Sequence, residues 1–511
     1  MENNVAVRMQ HITKAFGTKV VANKDVTLEI QKGEILALLG ENGSGKTTLM
    51  NMLSGIYHPD SGEIFVDGKE VHIESPKDAY ALGIGMIHQH FKLVDVFTAT
   101  ENVALGMDKT KAKNRGAIAK GVKEICDRYG FDVDPDRKVY NMTVSQKQTL
   151  EIVKTLYRGA NILILDEPTA VLTPQETDKL FEVLRNMKAD GKSIIIITHK
   201  LHEVLAISDR VSILRKGEYI GTVETKEASV QSLTEMMVGQ KVDLDIDRPM
   251  VENKEKRISV SHLTCLNKYG VKSLDDVSFD AYGGEILGIA GISGSGQKAL
   301  LEAIAGLQEA ESGSSVKYYD PETGKESELI GKSVQQIKQM GVALSFVPED
   351  RLGMGLVGTM GMTDNMMLKS YKKGVVFADR KSPRNLANQV KEELEVVTPS
   401  IQTPVRKLSG GNVQKVLVGR EIAADPTVLM AAYAVRGLDI NTSYTIYRLL
   451  NEQKLKGVAV IYVGEDLDVL LALCDRIAVL CAGKLNGIVD ARETTKEEVG
   501  MLMTNLREEG E

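Results

Sequence analysis

A glycine-rich run near the start of the chain has the composition of a phosphate-binding loop. Residues 40–47 fit the pattern GxxxxGK(S/T) in full, follow an apolar run at 35–39 and open an apolar helix at 48–53. This strand–loop–helix context is the one that the pattern requires. Glycines let backbone N–H groups close around phosphate oxygens, and the helix N-terminus adds partial positive charge. The residues predicted to cradle a polyphosphate are Gly40, Glu41, Asn42, Gly43, Ser44, Gly45, Lys46, Thr47 and Thr48.

Two side chains in this loop and two acids further along have the chemistry needed to hydrolyse a nucleoside triphosphate. Lys46 supplies a full positive charge to the β- and γ-phosphates, and the Thr47 hydroxyl can ligate Mg²⁺. A second apolar run, 162–165, ends in Asp166 and Glu167. Asp166 is placed to hold Mg²⁺, and Glu167 is placed to orient or deprotonate the attacking water. Because α/β folds bind ligands at the carboxyl ends of strands, we expect these acids to face the loop.

A third apolar run, 194–198, ends at His199, and its strand is expected to lie beside the phosphate site. We therefore expect His199 to contact the γ-phosphate. Gln89 and Phe16 have no motif strength by themselves. Phe16 could stack on a base, although an isolated aromatic near a strand is more often part of the core.

The composition is that of an ordinary globular protein and disfavours several classes of function. The 511 residues carry 63 Lys plus Arg against 70 Asp plus Glu, a net charge of −7, which argues against a protein that coats nucleic acid. Tryptophan is absent and aromatic residues make up only 5%, which disfavours aromatic stacking on single-stranded nucleic acid. The four cysteines form no CxxC pair, which argues against a zinc site and a disulfide framework. With no apolar run of about 18 residues and no N-terminal signal pattern, we expect a cytoplasmic protein, peripheral if it works at a membrane.

The glycine-rich run occurs twice and divides the chain into two copies. Residues 291–296 repeat it, again after an apolar run, here 286–290. Between the copies lies a stretch dense in charge that contains a proline. We predict a first domain at 1–240, a short solvated linker at 241–256 and a second domain at 257–511.

Each copy alternates short apolar runs with helical stretches, which is typical of an α/β fold. Runs of four or five apolar residues suit strands buried on both faces of a parallel sheet, and the helices between them give a doubly wound core. In the second copy, 428–432 and 458–463 are the corresponding runs. The region from about 98 to 157 lacks strand runs and is predicted to be an inserted helical lobe. The second copy is longer, and 311–328 and 371–384 are the predicted places of the gain.

The second copy also contains Leu408-Ser409-Gly410-Gly411-Asn412, which completes a set of motifs. Together with the phosphate loop, Gln89, the acidic strand and His199, it resembles the ATPase of an ABC transporter over nearly the whole chain. The resemblance implies two tandem ATPase domains that bind ATP and Mg²⁺. It implies that Phe16 stacks on adenine, that Gln89 senses Mg²⁺ and the attacking water at the head of a loop facing membrane subunits, and that His199 is the switch histidine. It also implies a clamp on the γ-phosphate presented by the other copy, made of Ser409, Gly410, Gly411 and Asn412.

Each copy has lost a different part of this set. In the second loop the neutral Gln297 stands where the lysine is needed, and Lys298 lies about 100° further round the helix. The first copy's signature, 142–146, has no glycine, and Thr173 stands where relatives carry Asp. The other replacements in the second copy are Ala432 for the metal-binding Asp, Tyr433 for the catalytic Glu, Glu349 for the Gln and Glu465 for the His.

If two nucleotide sites form as in the ABC ATPase family, all of the main losses fall on the same one of them. ABC ATPases as a family pair head to tail, with each nucleotide between one copy's phosphate loop and the other copy's signature. One site then combines the failed second loop with the failed first signature. The parts of the other site, all present, are Lys46, Gln89, Asp166, Glu167, His199, Ser409 to Asn412, and Asp439. We therefore expect one hydrolytic site, and a second that binds nucleotide without turnover or does not bind it.

The tandem arrangement in 511 residues resembles the ATPase subunit of monosaccharide or nucleoside importers. The run 83–103 is more similar to the nucleoside branch, whose binding protein is a lipoprotein. The resemblance implies two integral-membrane permease subunits, an extracytoplasmic solute-binding (lipo)protein, no nucleic acid, and peripheral attachment at the cytoplasmic face of the cell membrane. A ribose- or galactose-type importer is the alternative for the solute.

Two rivals come from other classes of protein. A soluble tandem ATPase that acts on ribosomes or DNA usually keeps both acid pairs and has a long basic linker. Here 241–256 has four basic and five acidic residues, and one acid pair is missing. A regulatory pseudo-ATPase is disfavoured because the first site is complete.

Overall fold

The computed structural model divides into two compact units, Met1–Asp243 and Leu244–Glu511. Each contains one six-stranded and one four-stranded sheet. Within the ranges described, no helix is both long enough and apolar enough to cross a bilayer. The structure describes residues 4–17, 20–88, 91–107, 112, 114–170, 172–241, 244–252, 254–292, 294–339, 344–348, 351–368, 379–423, 425–436, 438–464 and 466–504.

A six-stranded, mostly parallel sheet forms the centre of the first unit. The strands of this unit are β1 (Val5–Phe16), β2 (Val20–Gln31), β3 (Ile35–Leu39), β4 (Ser61–Val66), β5 (Lys69–Val71), β6 (Ile84–Ile87), β7 (Ile162–Asp166), β8 (Ser193–Ile197), β9 (Arg210–Arg215) and β10 (Glu218–Glu224). The central sheet has the order β6-β7-β8-β3-β9-β10, and its last pair is antiparallel. Every residue of β3, β7 and β8 is buried, as their continuous apolar runs predict. The α/β prediction is confirmed.

A second, antiparallel sheet of order β2-β1-β4-β5 packs on one face of the central sheet and was not predicted. Its strands escape a search for continuous apolar runs because their side chains change burial along the strand. In β1, for example, Val7, Met9 and Ile12 are buried between more exposed neighbours. Such strands have one face in the core and one in solvent.

Helices pack on both faces of the central sheet and form the inserted lobe. The helices of the first unit are α1 (Lys46–Leu53), α2 (Pro76–Ala81), α3 (Ala99–Ala104), α4 (Arg115–Tyr129), α5 (Val144–Tyr157), α6 (Pro174–Ala189), α7 (Leu201–Ile207) and α8 (Val230–Val238). The lobe predicted at about 98 to 157 consists of α3, α4 and α5 around a small core of its own that includes Val103, Val122 and Leu150. This prediction is confirmed.

The second unit repeats the plan. Its strands are β11 (Lys256–Leu266), β12 (Lys272–Tyr282), β13 (Glu285–Ala290), β14 (Ser315–Tyr319), β15 (Glu326–Glu328), β16 (Leu344–Val347), β17 (Val428–Ala432), β18 (Ala459–Val463), β19 (Arg476–Cys481) and β20 (Lys484–Asp490). Its central sheet has the order β16-β17-β18-β13-β19-β20, which matches the order in the first unit. Its small sheet has the order β12-β11-β14-β15. Its helices are α9 (Gln297–Ile304), α10 (Val334–Gln339), α11 (Met362–Met367), α12 (Lys381–Glu393), α13 (Gly410–Ile422), α14 (Ile440–Leu455), α15 (Leu467–Leu473) and α16 (Lys496–Met503).

Part of the extra length of the second copy is a longer hairpin. Six residues, 320–325, join β14 to β15, where two residues, 67–68, join β4 to β5. This turn lies inside the predicted insertion at 311–328. Most of the other predicted insertion, 371–384, falls outside the described residues.

The charged stretch between the copies packs in part on the second unit. Arg248 donates hydrogen bonds to the carbonyl oxygens of Leu471, at 2.9 Å, and Cys474, at 2.6 Å. Asn451 donates to the Asp247 carbonyl oxygen at 2.6 Å. The second compact unit therefore takes in this stretch from Leu244 onward, although its charged composition is that of a solvated linker.

Candidate active site

The phosphate loop of the first unit lies between β3 and α1, at the carboxyl end of the central sheet. Gly45, at the N-terminus of α1, has a left-handed φ of 96°. A Cβ on Gly45 would lie 2.2 Å from the Ala22 carbonyl oxygen, so both the conformation and the space require glycine there. A Cβ on Gly40 would lie 2.3 Å from the Leu214 carbonyl oxygen. The glycines of the motif therefore let the loop close tightly.

Lys46 is held inside this loop. Its side chain is buried, and Nζ donates hydrogen bonds to the carbonyl oxygens of Gly40, at 2.6 Å, and Glu41, at 3.0 Å. Burial lowers the pKa of Lys46, and the nearby charges of Glu167 and Asp166 oppose that effect. The ammonium group thus lies among backbone oxygens that phosphate oxygens can replace.

The loop has unused capacity for hydrogen bonds. The Ser44 hydroxyl oxygen is buried and has no hydrogen-bond partner in the described part of the chain. The first N–H groups of an α-helix also lack partners within the helix, and here they belong to the start of α1. Buried polar groups are normally paired, so the loop fits an anionic ligand such as a nucleotide phosphate chain.

Asp166 and Thr47 bring two oxygen ligands together. Asp166 ends β7 and is buried, and the Thr47 side chain forms a hydrogen bond with it. Burial, and then the charge of Glu167, raises the pKa of Asp166 to about 6. No cluster of three metal-ligating side chains occurs among the described residues. One carboxylate and one hydroxyl suit Mg²⁺, which takes its other ligands from water and substrate phosphates.

The raised pKa of Asp166 predicts an unusual pH dependence. A protonated carboxyl group cannot bind a cation, so Mg²⁺-dependent nucleotide binding should weaken as the pH falls through about 6. We expect this loss between pH 7.5 and pH 5 in a fluorescent-nucleotide titration with and without Mg²⁺. Asp166→Asn is the control, because the nucleotide's own phosphates also titrate in this range. If the effect of Mg²⁺ on nucleotide binding has the same pH dependence in the unchanged protein and in Asp166→Asn, the proposal that Asp166 binds Mg²⁺ is contradicted.

Glu167 has the geometry of a general base. Its φ is 47°, its N–H donates to the Ile197 carbonyl oxygen at 2.8 Å, and its Oε1 accepts a hydrogen bond from His199 Nδ1 at 2.9 Å. The hydrogen bond from His199 lowers the pKa of Glu167, which keeps the carboxylate ionised. The structure thus places His199 in contact with Glu167. The predicted contact between His199 and a γ-phosphate stays a prediction.

The two remaining predicted residues of the first unit have different outcomes. Phe16 ends β1 and is 41% exposed, so it is not a core residue. Its ring forms an edge-to-face contact with the Tyr57 ring at a centroid distance of 5.2 Å. The neighbouring strand, β2, contacts the phosphate loop, because the Asn23 side chain donates a hydrogen bond to the Gly45 carbonyl oxygen at 3.3 Å. This position suits a base that stacks beside the phosphate loop. Gln89 lies outside the described residues.

The corresponding loop of the second unit keeps its shape without its charge. Gly296 has a φ of 105°, as Gly45 has 96°. Gln297 is buried in the place of Lys46, and its amide donates to the Ile292 carbonyl oxygen at 3.1 Å. Lys298 is largely exposed, with its Nζ 3.9 Å from Glu302 on the same helix.

The acidic strand of the second unit shows the same pattern. Tyr433 has a φ of 51°, and its N–H donates to the Val463 carbonyl oxygen at 2.9 Å, which repeats the backbone of Glu167. A phenol in this place is a poor proton acceptor. Ala432 takes the place of Asp166 and has no ligand atom. Glu349 and Glu465 lie outside the described residues.

The signature begins α13. Ser409 is the N-cap residue, and its hydroxyl oxygen accepts hydrogen bonds from the backbone and the side chain of Asn412. Gly410 is exposed and Gly411 is half-exposed, and neither residue has a side chain beside its backbone amide. In the first unit, Thr143 caps α5 through a capping box, so the equivalent helices α5 and α13 both begin with a hydroxyl N-cap. The side chain of Val144 stands there in the place of Gly410.

Asp439 lies next to the signature. It is the N-cap residue of α14, and its carboxylate accepts hydrogen bonds from the backbone N–H and the hydroxyl of Thr442, both at 2.8 Å. A Cβ on Gly411 would lie 3.8 Å from Asp439 Oδ2. Thr173 is the equivalent cap of α6, where it forms a capping box with Glu176. Thr173 and Asp439 therefore cap equivalent helices of the two units, but only Asp439 provides a carboxylate.

The structure therefore brings the predicted residues together in two groups. The group in the first unit contains the loop, Asp166, Glu167 and His199, and the group in the second unit contains 409–412 and Asp439. Asn23, which supports the loop through Gly45, was missed because a single asparagine in a strand belongs to no motif.

Comparison with known proteins gives matches to both units. The family model described as ABC transporter matches residues 23–170 and 274–431. The nucleoside import ATP-binding protein NupA of Lactococcus lactis is 42% identical, over 98% of this chain and 99% of that protein. The guanosine import ATP-binding protein NupO of Bacillus subtilis is 41% identical, over 97% of each. The ribose import ATP-binding protein RbsA 1 of Rubrobacter xylanophilus is 37% identical, over 98% of each. A solved ATP-binding cassette of an ABC transporter in its ADP conformation gives a TM-score of 0.41 at 25% identity, covering 46% of this chain and 99% of its own.

Proposed function

Since the chain belongs to the ABC transporter family and is an ATPase, we propose that it powers the import of nucleosides. The proposal that ATP is hydrolysed in the first unit depends on one observation, the joint placement of Lys46, Asp166 and a His199-bound Glu167 around a loop with unused hydrogen-bonding capacity. The nucleoside assignment is supported by the names of two relatives at 42% and 41% identity, against 37% for a ribose importer.

The chain's own residues divide the work of hydrolysis. Lys46 leaves its carbonyl partners and stabilises negative charge on the phosphates. Asp166 and Thr47 would hold Mg²⁺, and the ion would supply positive charge to the phosphates. Glu167, kept ionised by His199, accepts the proton of the attacking water. In this proposal Phe16 stacks on the base, and Gln89 would contact the bound Mg²⁺ and the attacking water, as the resemblance implies.

We further propose that each chain has one working site, to which the second unit contributes its signature. In this proposal 409–412 bind the γ-phosphate through Ser409 and the amides at the start of α13, and Asp439 supports them. The buried amide of Gln297 and the phenol of Tyr433 leave the second loop without a charge or a base. That loop binds nucleotide without turnover or is empty.

A matched pair of loop variants tests this division. Lys46→Ala should lower kcat by about 100-fold or more, because it removes the charge that stabilises the transferring phosphoryl group. Gln297→Ala should change kcat by less than about threefold, since the amide it removes carries no charge. The two positions have the same place in the fold, so each variant controls for damage to the other's loop. Equal losses of ATPase activity in the two variants would contradict the proposal.

The proposed partners follow from the same premise. We propose two integral-membrane permease subunits, an extracytoplasmic solute-binding lipoprotein, and peripheral attachment at the cytoplasmic face of the membrane. Purification of the tagged full-length chain from its own cells should bring permease subunits with it. Recovery of ribosomal RNA or DNA instead would favour a soluble ATPase acting on nucleic acid.

The solute is tested in the assembled transporter. We expect the ATPase of the complex in lipid vesicles to be stimulated by the binding protein loaded with a nucleoside, and not by the binding protein with ribose or galactose. Stimulation by a monosaccharide alone would replace nucleoside import with the sugar-importer alternative, while leaving the ATPase assignment unchanged.

A further inference from the structure

A half-buried arginine joins the two second-unit segments that the proposed function assigns to the working site. Arg351 Nη1 donates a hydrogen bond to the Gly410 carbonyl oxygen at 3.2 Å, and Nη2 donates to the Arg436 carbonyl oxygen. Gly410 is the first residue of α13, and Arg436 lies three residues before Asp439. One planar guanidinium therefore holds the start of the signature helix and the loop that leads to Asp439 in a fixed relation.

The bond to the Gly410 carbonyl bears directly on an amide of the signature. In a trans peptide the C=O and the following N–H point in opposite directions. A fixed Gly410 carbonyl therefore fixes the direction of the Gly411 N–H, which has no partner within the helix because it lies in the first turn. This N–H is one of the groups available to a phosphate oxygen.

The charge of Arg351 also points to an anion. No carboxylate of the described residues lies within 4.0 Å of its guanidinium. The partial positive charge of a helix N-terminus repels a cation beside it, and a bound anion would compensate both positive charges. A Cβ on Gly410 would lie 3.2 Å from Arg351 Nη1, so a side chain at 410 would require the guanidinium to shift by a few tenths of an ångström.

The first unit provides an internal comparison. Counting from Gln89 and Glu349, the residue in the place of Arg351 is Phe91, which has no side-chain donor. The residue in the place of Gly410 is Val144. The arginine and the glycine therefore occur together in the unit with the intact signature, and both are replaced in the unit without it.

We propose that Arg351 is a positioning residue for ATP hydrolysis, which orients the Gly411 amide and the segment before Asp439 toward the γ-phosphate. This inference rests on the proposed function, in which the signature completes the site containing Lys46. It assigns Arg351 an effect on the chemical step rather than on capture of ATP, because the loop that holds the nucleotide lies in the other unit.

The test compares Arg351→Met, Arg351→Lys and Arg406→Met in the full-length chain assembled with its permeases. Arg406 is exposed and serves as the control for loss of a nearby arginine. We expect Arg351→Met to lower kcat by about 10- to 100-fold with KM for ATP changed less than about threefold. Lysine should restore part of the loss, because its compact ammonium cannot bond both carbonyls as the fork does. Arg406→Met should match the unchanged protein.

Two results would overturn the inference: unchanged kcat in Arg351→Met, or a rise in KM with kcat intact. Thermal melting identifies a folding defect, and if Arg351→Met melts early the comparison is made on Arg351→Lys, whose full retention of kcat would count against the forked contact. Glu167→Gln is measured alongside. If Glu167→Gln still hydrolyses ATP, the proposed function fails; if it is inactive while Arg351→Met is fully active, this inference alone fails.

Discussion

Replacing Glu167 with glutamine is expected to lower ATP turnover by about 100-fold or more while ATP binding stays close to that of the unchanged protein. The carboxylate is held by His199 at 2.9 Å and kept ionised by that hydrogen bond, so it can accept a proton from water. Glutamine has a similar shape but cannot accept the proton. Release of phosphate and binding of a fluorescent ATP analogue, measured on one preparation, separate the two effects.

The matched control is Tyr433→Phe in the second unit. Tyr433 has the same left-handed backbone as Glu167, with φ of 51° and 47°, so both substitutions are made in equivalent settings. We expect turnover in the control within about twofold of the unchanged protein, because a phenol has no role as a base. Near-normal hydrolysis by Glu167→Gln would remove the general base from the account.

A valine in place of Gly410 is expected to have the second large effect. The substitution copies Val144, which begins the equivalent helix of the first unit, so valine is compatible with this kind of helix start. At 410 its Cβ would lie 3.2 Å from Arg351 Nη1, and the added side chain would stand next to the amides of the first turn. Because those amides bind the γ-phosphate in the proposed site, kcat should fall by about 100-fold.

The reverse substitution tests the same idea from the other side. Val144→Gly opens the first signature, but in the proposed pairing that signature faces the loop that lacks a lysine. We therefore expect turnover to change by less than about twofold. A steady-state ATPase assay on both variants is sufficient. Equal activity in Gly410→Val and Val144→Gly would show that the two signatures are not divided as proposed.

The sequence was a good guide where a physical constraint acts on neighbouring residues. Strands such as β3 and β7 are buried on both faces, and their uninterrupted apolar runs show it. The phosphate loop is equally plain, because a tight turn at Gly45 admits no other residue type. The small sheets were missed because a strand such as β1, with one face in solvent, has no such run.

Contacts between distant residues account for the rest. Nothing in the spacing of Glu167 and His199 tells that the imidazole bonds the carboxylate, since the two end different strands. The link from Arg351 to Gly410 spans 59 residues and follows no motif. The contacts of Arg248 could not be predicted from the charged stretch that contains it. Its guanidinium bonds main-chain carbonyl oxygens near Leu471, and every residue type has such a carbonyl.

The proposed transporter subunit has a single working site per chain, and the count of trapped nucleotides tests this most directly. Vanadate replaces the γ-phosphate after one turnover and locks ADP into any site that has hydrolysed ATP. In the full transporter we expect one trapped ADP per chain, lost in both Lys46→Ala and Gly410→Val. Two trapped ADP molecules per chain, or one that persists in Gly410→Val, would contradict a site built from the first unit's loop and the second unit's signature.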